Sequence, residues 1–288
     1  MTTLRTALTA LTILAAPAFA HPALAAPARA APALASPAAT PLSLTRLDCG
    51  SAVVKDFNAF FSDTLEYPAG PRKITDSCYL IRHGDQTLLW DTGFPAALKG
   101  QSMDMGKLVA SVDRTIPEQL AQIGLKPSDI AIVGISHMHG DHTGQAKDFS
   151  GARLLIGKAD FDKSAGAGDP FGAWRGAAPE RLMLSTAADV DVFGDGSVIA
   201  LNLPGHTPGH LALLVRLASG NVLLSGDLYH AAEARALKGV PPFNTSRAET
   251  LASMDRFERL ARVLKAKVII QHEAADIAKL PTFPAAAR

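Results

Sequence analysis

Seven residues, Ser136–His142 (SHMHGDH), constrain this chain more than any other stretch. They hold three of its nine histidines and an aspartate. They follow IAIVGIS, an apolar run ending at Ser136 that reads as a short buried strand. If the segment stays extended, the rings of His137 and His139 project to one side. Gly140 permits a sharp turn, after which Asp141 and His142 open the next helix and point back into the same space. Neutral imidazoles and carboxylates are ligands for Zn²⁺ and similar divalent ions. Four such groups in six residues, joined by distant partners, exceed what one tetrahedral ion needs, so the pattern points to two ions.

The distant partners stand where other apolar runs stop. His206 follows SVIALNL, Asp227 follows NVLLSG and His272 follows KVII. Open α/β sheets bind their ligands at such strand ends. A lone histidine after a strand is more often a hydrogen-bonded core or surface residue, and the HxHxDH cluster is what raises the others. Around these positions, CYLIRHGDQTLLWDTG reads as a hairpin turning at His83–Asp85. RLLIG, DVDVFGDG, SVIALNL, HLALLVRL, NVLLSGD and KVIIQH read as further strands. Ile116, Leu120, Ile123 and Leu125 fall at roughly helical spacing. So do Leu251, Met254, Phe257, Leu260 and Leu264, after a capping box of Ser246 and Glu249. Residues Lys163 to Pro179, rich in Gly and Ala, read as a loop or a pair of short helices. Strand groups separated by helices, twice over, predict an α/β protein with two sheets between helices.

The chain has 288 residues, a formal net charge of +1, 48% hydrophobic and 19% charged residues. That suits a globular domain and argues against nucleic acid as a partner, because phosphate binding needs a basic surface. The first twenty residues carry Arg5, an apolar run from Ala7 to Ala16 and Ala18-Phe19-Ala20, the three parts of a secretory signal. Residues 21–41 alternate Ala and Pro and read as a linker, which places the folded domain at 42–288. The expectation is a periplasmic or secreted protein with no stable membrane insertion once the signal is removed. Cys49 and Cys78, the two cysteines, lie in apolar strand-like contexts. Export would let them pair, and buried free thiols are the commoner outcome.

SHMHGDHTG, PGHTPGH, SGD and the final QH, in this order, resemble the metallo-β-lactamase superfamily from about Leu42 to the end. The resemblance implies an αββα sandwich with metals at one edge. It implies that His137, His139 and His206 hold one ion, that Asp141, His142 and His272 hold the other, and that Asp227 bridges them. Asp91, in WDTG, would orient ligands or form a turn of its own; His210 has no ligand role in this scheme. Two divalent ions, zinc or another metal that accepts this N/O set, bring +4. Two aspartates and one hydroxide bring −3, leaving about +1 to activate a bridging water and stabilise an oxyanion.

Within the superfamily, LDCG, CYLIRHGDQTLLWDTG, SGDLYH and QHEAAD resemble the N-acyl-homoserine lactonase group. The bridging aspartate is unlike the true β-lactamases. The sixteen residues after His272 are too few for a glyoxalase II glutathione domain. The implied activity is opening of a small-molecule lactone, with Asp141 and Tyr229 as catalytic groups. The phenol would donate to the carbonyl or the departing alkoxide. Some lactonases of this kind carry their tyrosine one place further along. Phe171, Trp174, Leu228 and Phe243 are pocket or core residues on this reading. A parathion-hydrolase-like phosphotriesterase remains as an alternative, and so does a non-catalytic or redox metal module. Acyl-chain preference and oligomeric state are open.

Overall fold

In the computed structural model, residues 40–288 are described. The signal-like segment and residues 21–39 of the linker lie outside them. The chain runs through β1 (Leu42–Val54), α1 (Phe57–Phe61), β2 (Arg72–His83), β3 (Gln86–Trp90), β4 (Ser102–Asp104), β5 (Leu108–Ser111) and α2 (Ile116–Gln122). It continues with β6 (Ile132–Gly134), α3 (Gly140–Thr143), β7 (Arg153–Gly157), α4 (Lys158–Lys163), β8 (Leu182–Ser185), β9 (Val190–Asp191) and β10 (Val198–Asn202). β11 (Leu211–Leu217), β12 (Gly220–Leu224), α5 (Ala232–Leu237), α6 (Arg247–Val263), β13 (Lys267–Ile269) and α7 (Ala274–Ile277) complete it. One sheet has the order β4-β5-β1-β2-β3-β6-β7-β8 and the other β13-β12-β11-β10-β9.

Strand alternation sorts the apolar side chains into layers. Leu88 and Trp90 of β3 face Leu211, Leu213 and Val215 of β11 in a core between the sheets, with Tyr79, Ile81 and Ile269. The intervening Leu89 packs with Ile116 and Leu120 of α2 and Val133 on the outer face of the first sheet. Leu214 of β11 packs with Met254 and Phe257 of α6 on the outer face of the second. The result is an αββα sandwich. Each fully buried side chain of this size contributes about 1.5–3 kcal/mol by leaving water.

Three local expectations are changed by the structure, and one left open is settled. DVDVFGDG forms only the two residues of β9. The Asp191 carboxylate accepts from the backbone N–H of Gly194 and Gly196 at 2.9 and 2.8 Å, which turns the chain instead of extending it. At α6, Ser246 accepts from Glu249 N, so one half of the capping box forms; the complete box is Thr115–Glu118 at α2. Of the two readings open for Phe171 and Trp174, the structure selects core: both are fully buried beneath the outer face of the first sheet, with a short 3₁₀ turn at Gly172–Trp174. Cys49 and Cys78 form a disulfide instead of remaining free thiols. The irregular register between Asp48 and Gly50 leaves Cys49 out of the ladder, and the bridge spans β1 and β2 with Cα atoms 5.8 Å apart. Among the described residues, no helix is long and apolar enough to cross a membrane.

Candidate metal centre

Strand ends from both sheets converge on one edge of the sandwich. Asp91 directly follows β3, and Ser136–His139 follow β6, its parallel neighbour. His142 lies in α3. In the second sheet, His206 follows β10, Asp227 follows β12, and His272 follows β13, the parallel partner of β12. A backbone bond from Leu211 N to Ser136 O at 2.7 Å ties the two sheets together where the site forms. Gly226 sits at φ +52°, and a Cβ there would lie 2.8 Å from His210 Nε2. Glycine therefore allows Asp227 N to donate to that nitrogen at 3.0 Å. His210 is thus structural: its Nδ1–H donates to Leu203 O and its Nε2 accepts from the aspartate's own backbone.

The side chains fall into two groups, His137, His139, His206 and Asp227, and Asp141, His142 and His272. Asp227 faces both. Its Oδ2 lies 3.6 Å from His137 Nε2 and 3.5 Å from His206 Nε2; its Oδ1 lies 3.3 Å from His142 Nε2 and 3.0 Å from His272 Nε2. Asp141 Oδ2 stands 3.9 Å from the Nε2 atoms of His142 and His272, on the more open side.

Neighbours set the tautomers. His206 Nδ1–H donates to Asn244 Oδ1 at 2.8 Å, His272 Nδ1–H to Thr75 O at 2.8 Å, and His142 Nδ1–H to Asp91 Oδ2 at 3.0 Å. Each bond leaves Nε2 free to face inward. Asp91, itself at φ +59°, also accepts from Ser136 N at 2.6 Å, so it orients a ligand-type ring and pins the start of the histidine loop. Asp160 on α4 does the same for two loops. Its fully buried carboxylate accepts from Met138 N, Thr207 Oγ1 and Gly209 N at 3.1, 2.6 and 2.7 Å.

Three observations fit a divalent cation. His137 Nε2, His139 Nδ1 and His206 Nε2 form a triangle with edges of 2.9, 3.0 and 3.2 Å. Burial holds all three rings below the ordinary imidazole pKa, so they are neutral and the inward nitrogens present lone pairs to one another. Tetrahedral Zn–N bonds of about 2.0–2.1 Å place ligand nitrogens about 3.3 Å apart, close to this triangle. Second, His142 Nε2 and Asp227 Oδ1 are buried without hydrogen-bond partners, a costly state that a cation relieves. Third, the field around Asp227 calls for positive charge. Burial opposes its ionisation, but His142, His272 and His230 outweigh it and hold the carboxyl well below the usual range. Burial likewise opposes charge on His142 and His272. Asp227 prevails, raising His142 well above its ordinary value and His272 to about 9. A bound cation would supply that positive charge in place of protons on these rings.

Tyr229 does not take the catalytic place assigned to it. Its hydroxyl donates to Glu258 Oε1 at 3.1 Å, and its ring packs on Phe257 in the core beneath α6, where Leu228 is also buried. The next residue, His230, faces the site instead. Its Nε2 lies 3.1 Å from Asp227 Oδ2, and its ring stacks on His272 and lies 4.4 Å from Phe61. The backbone at Tyr229 is extended (φ −138°, ψ 138°), so successive side chains point to opposite faces. In the sequence, the signal available for His230 was its place three residues after Asp227, at the end of the SGDLYH run. Of the four apolar candidates, Phe243 remains at the site, 5.9 Å from His206 and 4.9 Å from Phe60. Gly140 takes no left-handed conformation and has open space where a Cβ would stand, so the turn there does not require glycine.

Convergent strand ends, buried imidazoles in two groups and a carboxylate between them define a metallohydrolase-type site on an αββα sandwich. The profile of the metallo-beta-lactamase superfamily matches residues 75–272, and the chain belongs to that superfamily. It is 29% identical over 193 residues to the N-acyl homoserine lactonase AttM of Rhizobium radiobacter, covering 61% of this chain and 71% of that one. It is 31% identical over 214 residues to the N-acyl homoserine lactonase AiiB of Agrobacterium fabrum, covering 64% and 76%. The structure of a quorum-quenching N-acyl homoserine lactone hydrolase superposes with a TM-score of 0.71 at 20% identity, covering 86% of this chain and 98% of that one. The dizinc quorum-quenching lactonase AidC superposes with a TM-score of 0.60 at 18% identity, covering 85% and 89%.

Proposed function

We propose that this protein is a dinuclear, zinc-dependent lactonase that opens N-acyl-homoserine lactones or related lactones. The observation that carries the reading is the placement of Asp227, one oxygen toward each group of histidines. The lactonase names of its relatives supply the substrate class. Bound divalent ions would polarise the lactone carbonyl and make water nucleophilic near neutral pH. His137, His139 and His206 would hold one ion, His142, His272 and Asp141 the other, and Asp227 both.

The chain's own groups then direct the reaction. Water adds to the lactone carbonyl carbon, and the ring C–O bond breaks. The proton released by water passes to the departing alkoxide, giving a hydroxy acid. Asp141, about a quarter exposed on the open side of the site, would pass that proton on with the carboxylate oxygen that the ion leaves free. His230, whose Nε2 lies 3.1 Å from Asp227 Oδ2, borders the same space and would face the bound substrate. Phe61 and Phe243 form an apolar wall beside it.

A substrate panel with elemental analysis after chelator-free purification tests this. Expected are about two transition-metal ions per chain, with acyl-homoserine lactones turned over faster than simple lactones, paraoxon-type triesters, thioesters or β-lactams. A single ion with full activity overturns the dinuclear reading. Triester turnover far above lactone turnover favours a phosphotriesterase, the second reading, which Tyr229's absence from the site makes more competitive.

Export to the periplasm or beyond is also proposed. The signal-like pattern of residues 1–20 and the Cys49–Cys78 disulfide support it. Intact mass of the exported protein should place its first residue near His21; a soluble cytoplasmic product retaining Met1 contradicts the proposal.

A further inference from the structure

Arg72, the first residue of β2, is tied to three segments at the edge of the metal centre. Its Nη1 donates to Glu233 Oε1 and its Nη2 to Glu273 Oε2, each at 2.9 Å. Its guanidinium carbon lies 4.5 Å from the centre of the Phe57 ring. Each partner adjoins a group of the site. Glu273 directly follows His272. Glu233 stands three residues beyond His230. Phe57 opens α1, and its ring lies 5.1 Å from that of Phe61, the residue against His230.

Two further bonds tighten the arrangement. Glu273 Oε2 also accepts from Ala232 N at 3.3 Å, which joins the His272 loop to the turn after His230. Three residues along β2, Thr75 exchanges backbone bonds with the His272 segment, its carbonyl accepting from the ring Nδ1–H and its N–H donating to His272 O at 3.3 Å. The start of β2 therefore holds the His272 loop twice, once through the ring and once through the next side chain.

The chemistry suits arginine specifically. A planar guanidinium can donate to two separate carboxylates while its face rests on an aromatic ring; a lysine ammonium is a point charge that cannot do all three. Without that cation, Glu233 and Glu273 would be left as two neighbouring negative charges beside the site. Exposed ion pairs contribute little stability in general, so the significance of this one lies in where its partners lead.

We infer that Arg72 is a positioning residue that sets the His272 loop, the His230 turn and the aromatic wall of α1 in register, and so couples metal retention to substrate binding. The substrate half of this inference rests on the lactonase reading; the metal half does not. The test compares Arg72→Met, Arg72→Lys, Glu233→Gln and Glu273→Gln in the metal-loaded enzyme. The readouts are competition for the more weakly held ion by a chromogenic chelator, KM and kcat on an acyl-homoserine lactone, and thermal unfolding.

Arg72→Met should weaken that ion's apparent affinity by about tenfold, the low end for residues that orient metal ligands, and raise KM more than it lowers kcat. Arg72→Lys should not restore either. Glu273→Gln should act mainly on ion affinity and Glu233→Gln mainly on KM. If Arg72→Met lowers only the unfolding temperature and leaves ion affinity and KM as in the parent, Arg72 is a structural strap and the inference fails. Should that variant not fold, the two glutamate variants decide: parental behaviour of both overturns it. A parent that binds metal but turns over no lactone defeats the substrate reading alone, and the chelator competition still judges Arg72.

Discussion

Tyr229 and His230 are adjacent, yet one belongs to the core and the other to the site. That separation makes a sharp contrast between two substitutions. Tyr229→Phe removes one half-buried hydrogen bond to Glu258. It should cost about 1 kcal/mol of stability and leave lactone kcat/KM and metal content unchanged. His230→Phe keeps an aromatic ring against Phe61 but removes the nitrogen beside Asp227. Lactone kcat/KM should fall on the order of tenfold, less than for loss of a sole oxyanion donor because bound cations would share that task. Steady-state kinetics and thermal unfolding of the pair check this. Loss of turnover in Tyr229→Phe at parental stability would return the phenol to the mechanism.

At the scale of elements, the site depends on loops held from behind. α4 contributes no ligand, yet its Asp160 bonds the loop between His137 and His139 and the loop after His206. Asp160→Asn keeps the shape but sets an amide NH₂ against one of these donors. Ion affinity should fall by about 10–100-fold, the usual range for groups that orient metal ligands, and the unfolding temperature should fall with it. Calorimetric titration of the metal-free variant measures this; parental affinity would mean that the loops hold their geometry without Asp160.

For the whole molecule, the Cys49–Cys78 bridge is the covalent constraint among the described residues. It closes a 29-residue separation within the first sheet, and Cys49 O accepts from Phe94 N in the loop that carries Asp91. A loop of that length corresponds to about 3–4 kcal/mol in the chain-entropy account. Replacing both cysteines by alanine should lower stability by about that amount, read as a shift of the urea midpoint, and added reductant should then have no further effect. A double variant as stable as the oxidised parent would show that the layered core suffices without the bridge.

The layers were legible in the chain because period-two and helical apolar spacing record which face is buried, as in Leu211–Leu217 and α6. The clustered histidines were legible for a similar reason: HxHxDH concentrates ligand chemistry within one short segment. Its partners at His206, Asp227 and His272 were reached through resemblance and their positions at strand ends. Other features depend on segments far apart in sequence. No local pattern brings Asp160 beneath two loops, sets Arg72 between Glu233 and Glu273, or places Cys49 beside Cys78. The choice between Tyr229 and His230 turned on the phase of a single extended residue, where a shift of one position exchanges core for site. Alternation is written in the sequence, but its phase against the metal centre is fixed only when both sheets pack.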